Sequence, residues 1–176
     1  MMESKFEFEE LPFDLKYKIT REFTTKDILH FADTLRSKKV YYGFFKPEIL
    51  DVRKLLHYMV RGDHNRVQQI LKENIHLMFK MDKVTDCSGR EFENVSSFEY
   101  ALWALDKHMW TMMISCIPQS KEGRELFAQL LAQYNNVNTK GVTYQFNGKT
   151  ITEKHFDFEN TIIKAAHLTQ VYSPVL

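Results

Sequence analysis

Cysteine is scarce in this chain. Of 176 residues only Cys87 and Cys116 carry thiols, far apart and outside any Cys-x-x-Cys spacing. That excludes a disulfide scaffold and suits a reducing compartment, with both thiols expected to be buried. An excess of either charge is also missing: 24 basic against 23 acidic residues leave a formal charge of +1. The chain as a whole therefore has no electrostatic reason to seek nucleic acid or anionic lipid, and no nucleic-acid partner is expected. No apolar run approaches the roughly 20 residues that cross a bilayer, and the opening MMESKFEFEE lacks the basic-then-apolar layout of a signal peptide. The closing YSPVL offers no cysteine for prenylation. No membrane contact and a cytoplasmic location are expected from these absences.

What is present is globular composition, with 44% apolar, 14% aromatic and 27% charged residues. Low-complexity tracts and exact repeats are missing, and helix patterns dominate. After Pro12, which suits an opening helical turn, Leu15, Ile19 and Phe23 recur every four residues on one face. Thr24 to Asp27 reads as a capping signal for a second helix that turns Ile28, Phe31, Ala32 and Leu35 inward. The aromatic stretch VYYGFFKPEIL, residues 40–50, is broken by Gly43 and Pro47 and is read as a junction.

A second helix pair is expected from about Leu50 to Glu73, turning at Gly62-Asp63 with Asp63 as N-cap. A loop holding Asp86, Ser88 and Gly89 then leads to a third pair, opened by a Ser96-x-x-Glu99 capping box and continued from His108 to Ile117, stopping at Pro118. Leu126, Phe127, Leu130, Leu131 and Tyr134 give helical spacing over 121–134. The period then changes. Val142, Tyr144 and Phe146 alternate up to Asn147-Gly148, the pair favoured in a two-residue hairpin turn, and Ile151 continues beyond it. A last helix is expected over 158–172.

Chemistry is thinly represented. Gly148-Lys149-Thr150 imitates the end of a phosphate loop, but Thr143 stands where that motif needs glycine, so the turn explains Gly148 better. Cys87 beside Asp86 lacks a nucleophile signature. His155 with Asp157, and Asp106 with His108, are pairs two apart without a third ligand spaced to help. Trp103, Trp110, Met109, Met112 and Met113 crowd one region and are read as core in preference to a partner groove. No catalytic residue, metal ligand or cofactor site is assigned.

The run Leu11-Pro12, Leu15, Ile19, Phe23, Asp27-Ile28-Leu29, Phe31 and Arg36 resembles the F-box motif, which opens with Leu-Pro, continues with apolar residues four apart, and then has Asp-Leu and a basic residue. Downstream, LLHYMVRGDHNRVQQIL resembles an ankyrin helix pair, and a second such unit runs from Asp86 through Gly89 to Phe98, Ala101 and Leu102. The resemblance implies a mainly α chain: an F-box-like helical hairpin over 1–46, then ankyrin-like helix pairs over 47–176, with one small β-hairpin near the C-terminus. It also implies a function without catalysis. Leu11, Pro12, Leu15, Ile19, Ile28 and Phe31 would insert into the Skp adaptor of a cullin-RING (SCF) ubiquitin ligase, while the second region holds a target protein for ubiquitination. The combination is similar to F-box effectors that intracellular bacteria deliver into the host cytoplasm. Two other readings remain: an ankyrin-like binding module without ligase association, and a small cysteine-dependent enzyme.

Overall fold

The computed structural model describes residues 11–23, 27 and 47–157. Its first element, α1, spans Phe13–Arg21 and starts where Pro12, lacking an N–H, presents a carbonyl to the amides of Leu15 and Lys16 at 3.0 and 3.1 Å. The expected second helix of this pair and the expected C-terminal helix over 158–172 lie outside the described residues.

Helix α2 (Pro47–Met59) and helix α3 (His64–Glu73) form the next pair. Gly62, with φ of 68°, makes the turn, and Asp63 caps α3 by accepting from the Arg66 amide at 3.1 Å. A short 3-10 turn, Ile75–Phe79, comes next and buries Leu77 and Met78. Helix α4 (Ser97–Trp103) opens on the expected capping box: Ser96 Oγ accepts from the Glu99 amide, and the Glu99 carboxylate accepts from the Ser96 amide, both at 3.1 Å. Helix α5 (Lys107–Ser115) is capped by Asp106. The 20-residue helix α6 (Lys121–Lys140) is capped by Ser120 and ends at Gly141.

A mainly helical chain with one lone hairpin is not what forms. Between the 3-10 turn and α4, where a loop is expected, the chain makes a second hairpin, β1 (Met81–Thr85) and β2 (Glu91–Ser96). Its turn is organised by Asp86, whose Oδ1 accepts from the amides of Ser88 and Arg90 at 2.8 and 2.9 Å. The expected hairpin is present as β3 (Val142–Phe146) and β4 (Lys149–Glu153), with φ of 50° at Asn147 and 72° at Gly148, as a type I′ turn requires. The two hairpins join into one antiparallel sheet in the order β1-β2-β3-β4. The helix pairs thus pack on a four-stranded sheet, which corrects the expectation of stacked ankyrin-like pairs.

The sheet is irregular at two places. Along β1 the pairing advances from Asp82 to Val84, while along β2 it goes from Val95 back to Phe92, so β2 carries one extra residue at Glu93-Asn94 opposite Lys83. This is a β-bulge, which bends the strand that holds it. Strands β2 and β3 are paired at Glu91 and Gln145 alone.

The inner face of the sheet meets the helices through an aromatic nucleus. Trp103, 2% exposed, has Phe92, Tyr144 and Phe156 around it at centroid distances of 5.1, 5.3 and 5.8 Å, all edge-on. Arg90 leans over this nucleus, 4.6 Å from the Phe156 ring and 5.3 Å from Phe146, while its Nη1 is held by Asp86 at 3.2 Å. Met109 and Met113 are fully buried, and Trp110 and Met112 pack against the same core, so the Trp/Met cluster belongs to the interior.

Candidate protein-docking surface

Helix α1 ends before Phe23, and it presents the other two residues of the expected stripe to solvent. Leu15 is 46% and Ile19 37% exposed, although their four-residue spacing gives them a common face. Pro12 ahead of them is exposed and Leu11 half-buried. Ile28 and Phe31, expected on the same docking surface, lie outside the described residues. Among the described contacts that fix the end of α1 to the body is a buried arginine. Arg53 of α2, 4% exposed, donates from Nη1 to the Phe23 carbonyl at 2.7 Å and from Nε to Asp82 Oδ2 at 3.1 Å. Nothing in the local pattern of α2 marks Arg53 as inward, so this anchor is not readable from spacing.

A second apolar stripe lies on α6. Leu126, Leu130 and Val137 face the core, whereas Phe127, Leu131 and Tyr134 point outward at 54%, 53% and 49% exposure. The helical spacing of Leu126, Phe127, Leu130, Leu131 and Tyr134 is as expected, and it divides between a buried and an exposed face. Beside the first turn of α6, Ile114, Ile117 and Phe127 border an open surface hollow with Arg124 on its rim.

The other candidate residues sit apart. Cys87, expected to be buried, is exposed at the β1–β2 turn, with Sγ 3.5 Å from the Val60 carbonyl. Cys116 is half-buried in the cap of α5, and burial pushes its thiol up from the ordinary value. Asp106 serves as the α5 cap and lies 3.8 Å from His64, while His108 is exposed on the first turn. His155 Nδ1 lies 3.2 Å from its neighbour's carbonyl, at Phe156. Among the described residues no group of three His, Cys, Asp or Glu could hold a metal ion. None of the described helices is long and apolar enough to cross a membrane.

The chain is 37% identical over 121 residues to the uncharacterized protein CBUA0006 of Coxiella burnetii (strain RSA 493 / Nine Mile phase I). The match covers 67% of this chain and 33% of that protein, so the chain spans about a third of the length of the curated relative it matches. No family model matches the sequence. No solved structure matches it either.

Proposed function

We propose that the chain is an F-box-type adaptor that binds the Skp adaptor of a cullin-RING ligase through α1 and presents a target protein from the body of helices and sheet. The observation that supports this reading is the exposure of Leu15 and Ile19 on a helix whose end is fastened to the body through Arg53. Surface-exposed apolar residues four apart on an anchored helix are suited to docking into a groove. In this reading the chain needs rigidity more than reactivity. Ubiquitin chemistry belongs to other subunits, and the gain comes from the effective concentration created by tethering target and ligase to one body. The host cytoplasm is the setting the reading implies, with a bacterial effector as the source, in keeping with a relative from the bacterium Coxiella burnetii.

A second reading, a binding module without ligase association, is favoured by the outward stripe Phe127, Leu131 and Tyr134 on α6. One experiment separates the two. Purified chain and purified Skp adaptor are mixed and analysed by size-exclusion chromatography and calorimetry, alongside the double variant Leu11→Ala, Pro12→Ala and the variant Leu131→Ser. The adaptor reading expects a complex that the N-terminal double variant weakens about a hundredfold and Leu131→Ser leaves intact. Absence of a complex with the wild-type chain rejects it.

A further inference from the structure

The sheet is split along its middle. Beyond the single pairing of Glu91 with Gln145, strands β2 and β3 diverge around an opening of ≈ 410 Å³. One side is Glu93, Asn94 and Val95, the bulged part of β2, and the other is Gly141, Val142 and Thr143. A bulge bends its strand and ends regular pairing, so the extra residue in β2 accounts for the divergence.

Pairing parity shows what β3 offers to this opening. The two-residue turn makes Phe146 and Lys149 the closing hydrogen-bonded pair, and bonding then alternates to Tyr144 with Ile151 and Val142 with Glu153. Gln145 and Thr143 therefore direct their N–H and C=O groups away from β4. Gln145 turns toward β2, where it meets Glu91. Thr143 turns the same way into the opening, across from the bulge. Each side supplies about three residues, or roughly 10 Å of strand, enough to receive a short extended segment.

The charges that line the opening are unequal. Glu91, Glu93 and Glu99 border it, against Lys140. Glu91 and Glu93 stand on the exposed outer face, while Val95 and Val142, 1% and 6% exposed, belong to the core beneath it. Glu99, 4% exposed, lies at the base, where it accepts from the Ser96 amide and from Asn136 Nδ2 at 3.1 and 3.3 Å.

We infer that this split is a peptide-recognition slot, filled by an extended segment of a partner protein that adds a strand between β2 and β3 and carries Lys or Arg on its outward side. Main-chain bonds to Thr143 and to the bulged stretch of β2 supply affinity independent of sequence. Alternation along the added strand then sets specificity, with basic residues on the outward side, toward Glu91 and Glu93. The inference stands whether or not α1 docks on a Skp adaptor.

The test uses the full chain and a fluorescein-labelled heptapeptide, Thr-Lys-Val-Arg-Val-Lys-Thr, followed by fluorescence anisotropy at low salt. Four controls accompany it: the peptide with Glu in place of Lys and Arg, the basic peptide N-methylated at alternate amides, and the protein variants Glu93→Lys and Thr143→Pro. The proline removes an N–H that β4 does not use, which a strand tolerates on its open side. Saturable binding is expected. Each control should weaken it about tenfold or more, and the amide resonances of Glu93 and Thr143 should move on titration of the unmodified protein. If Thr143→Pro disturbs the fold, the N-methylated peptide carries the same comparison on wild-type protein. Equal binding of the N-methylated peptide means charge adsorption alone and overturns strand addition. Equal binding to Glu93→Lys, or no saturable binding at all, overturns the slot.

Discussion

Arg53 of α2 and Asp82 of β1 form an ion pair between the helical pair and the sheet. Their Nε and Oδ2 atoms lie 3.1 Å apart, with side chains 5% and 19% exposed. The same guanidinium reaches the Phe23 carbonyl at 2.7 Å, so one residue of α2 holds both β1 and the exit of α1.

Replacing Arg53 with Met should destabilise the chain by about 3 kcal/mol, because it removes one partner of a largely buried pair and strands the other. Urea unfolding followed by circular dichroism measures the loss. Limited proteolysis should cut the N-terminal segment of this variant sooner than that of wild type, since the Phe23 anchor goes with it.

Gly148→Val should cost about 1 kcal/mol, because the turn needs φ of 72° and nothing crowds a side chain there. Gly141→Ala should cost more, about 2 kcal/mol: φ is 79°, and a Cβ would lie 2.6 Å from the Glu153 carbonyl oxygen. Thermal melts of the two variants should rank in that order, and the reverse order would contradict the β3–β4 geometry.

Alkaline pH should weaken the fold through Tyr100 and Tyr144. Burial pushes both phenols above the ordinary value of 10.0, reinforced by the Asp86 carboxylate for Tyr100 and by the 2.8 Å hydrogen bond to Glu153 for Tyr144. The folded chain keeps its protons where the unfolded chain releases them. This stabilisation is therefore complete below the unfolded value and is lost as pH climbs past it toward the folded values. Urea midpoints should fall between about pH 9 and pH 11, and the fall should be shallower in Tyr100→Phe.

The two thiols should differ in reactivity. Cys87 is exposed at a hairpin turn, whereas Cys116 is half-buried with its thiol pushed up by burial. A colorimetric disulfide reagent at neutral pH should modify the first at least about ten times faster than the second. Single Cys→Ser variants assign the two phases, and equal rates would contradict the half-buried setting of Cys116.

Much of the architecture was legible because local rules and the fold agree. The caps at Asp63 and Ser96, the helix pair around Gly62 and the Asn147-Gly148 turn all appear where short-range chemistry places them. The first hairpin was not legible, and the bulge explains why. With an extra residue at Glu93-Asn94, inward Phe92 and Val95 fall three apart, which mimics helical spacing and hides the period of a strand. In β1 only Val84 is buried, too little to show alternation. The face of α1 was legible as a stripe, but its exposure was not, since exposure depends on what the rest of the chain covers. Arg53 was hidden for a related reason: a basic residue on a helix reads as solvent-facing unless its distant partners, Asp82 and Phe23, are known.

The single pairing of Glu91 with Gln145 also bears on the order in which the molecule assembles. Strands β1 and β2 are neighbours in the chain, as are β3 and β4, so each hairpin can close on the microsecond scale of local structure. Their union must wait until α4, α5 and α6, which lie between them in sequence, have packed and brought Gln145 back to Glu91. The seam of the sheet is accordingly its non-local step of assembly, and in native-state hydrogen exchange the amides along it should lose protection before those inside either hairpin.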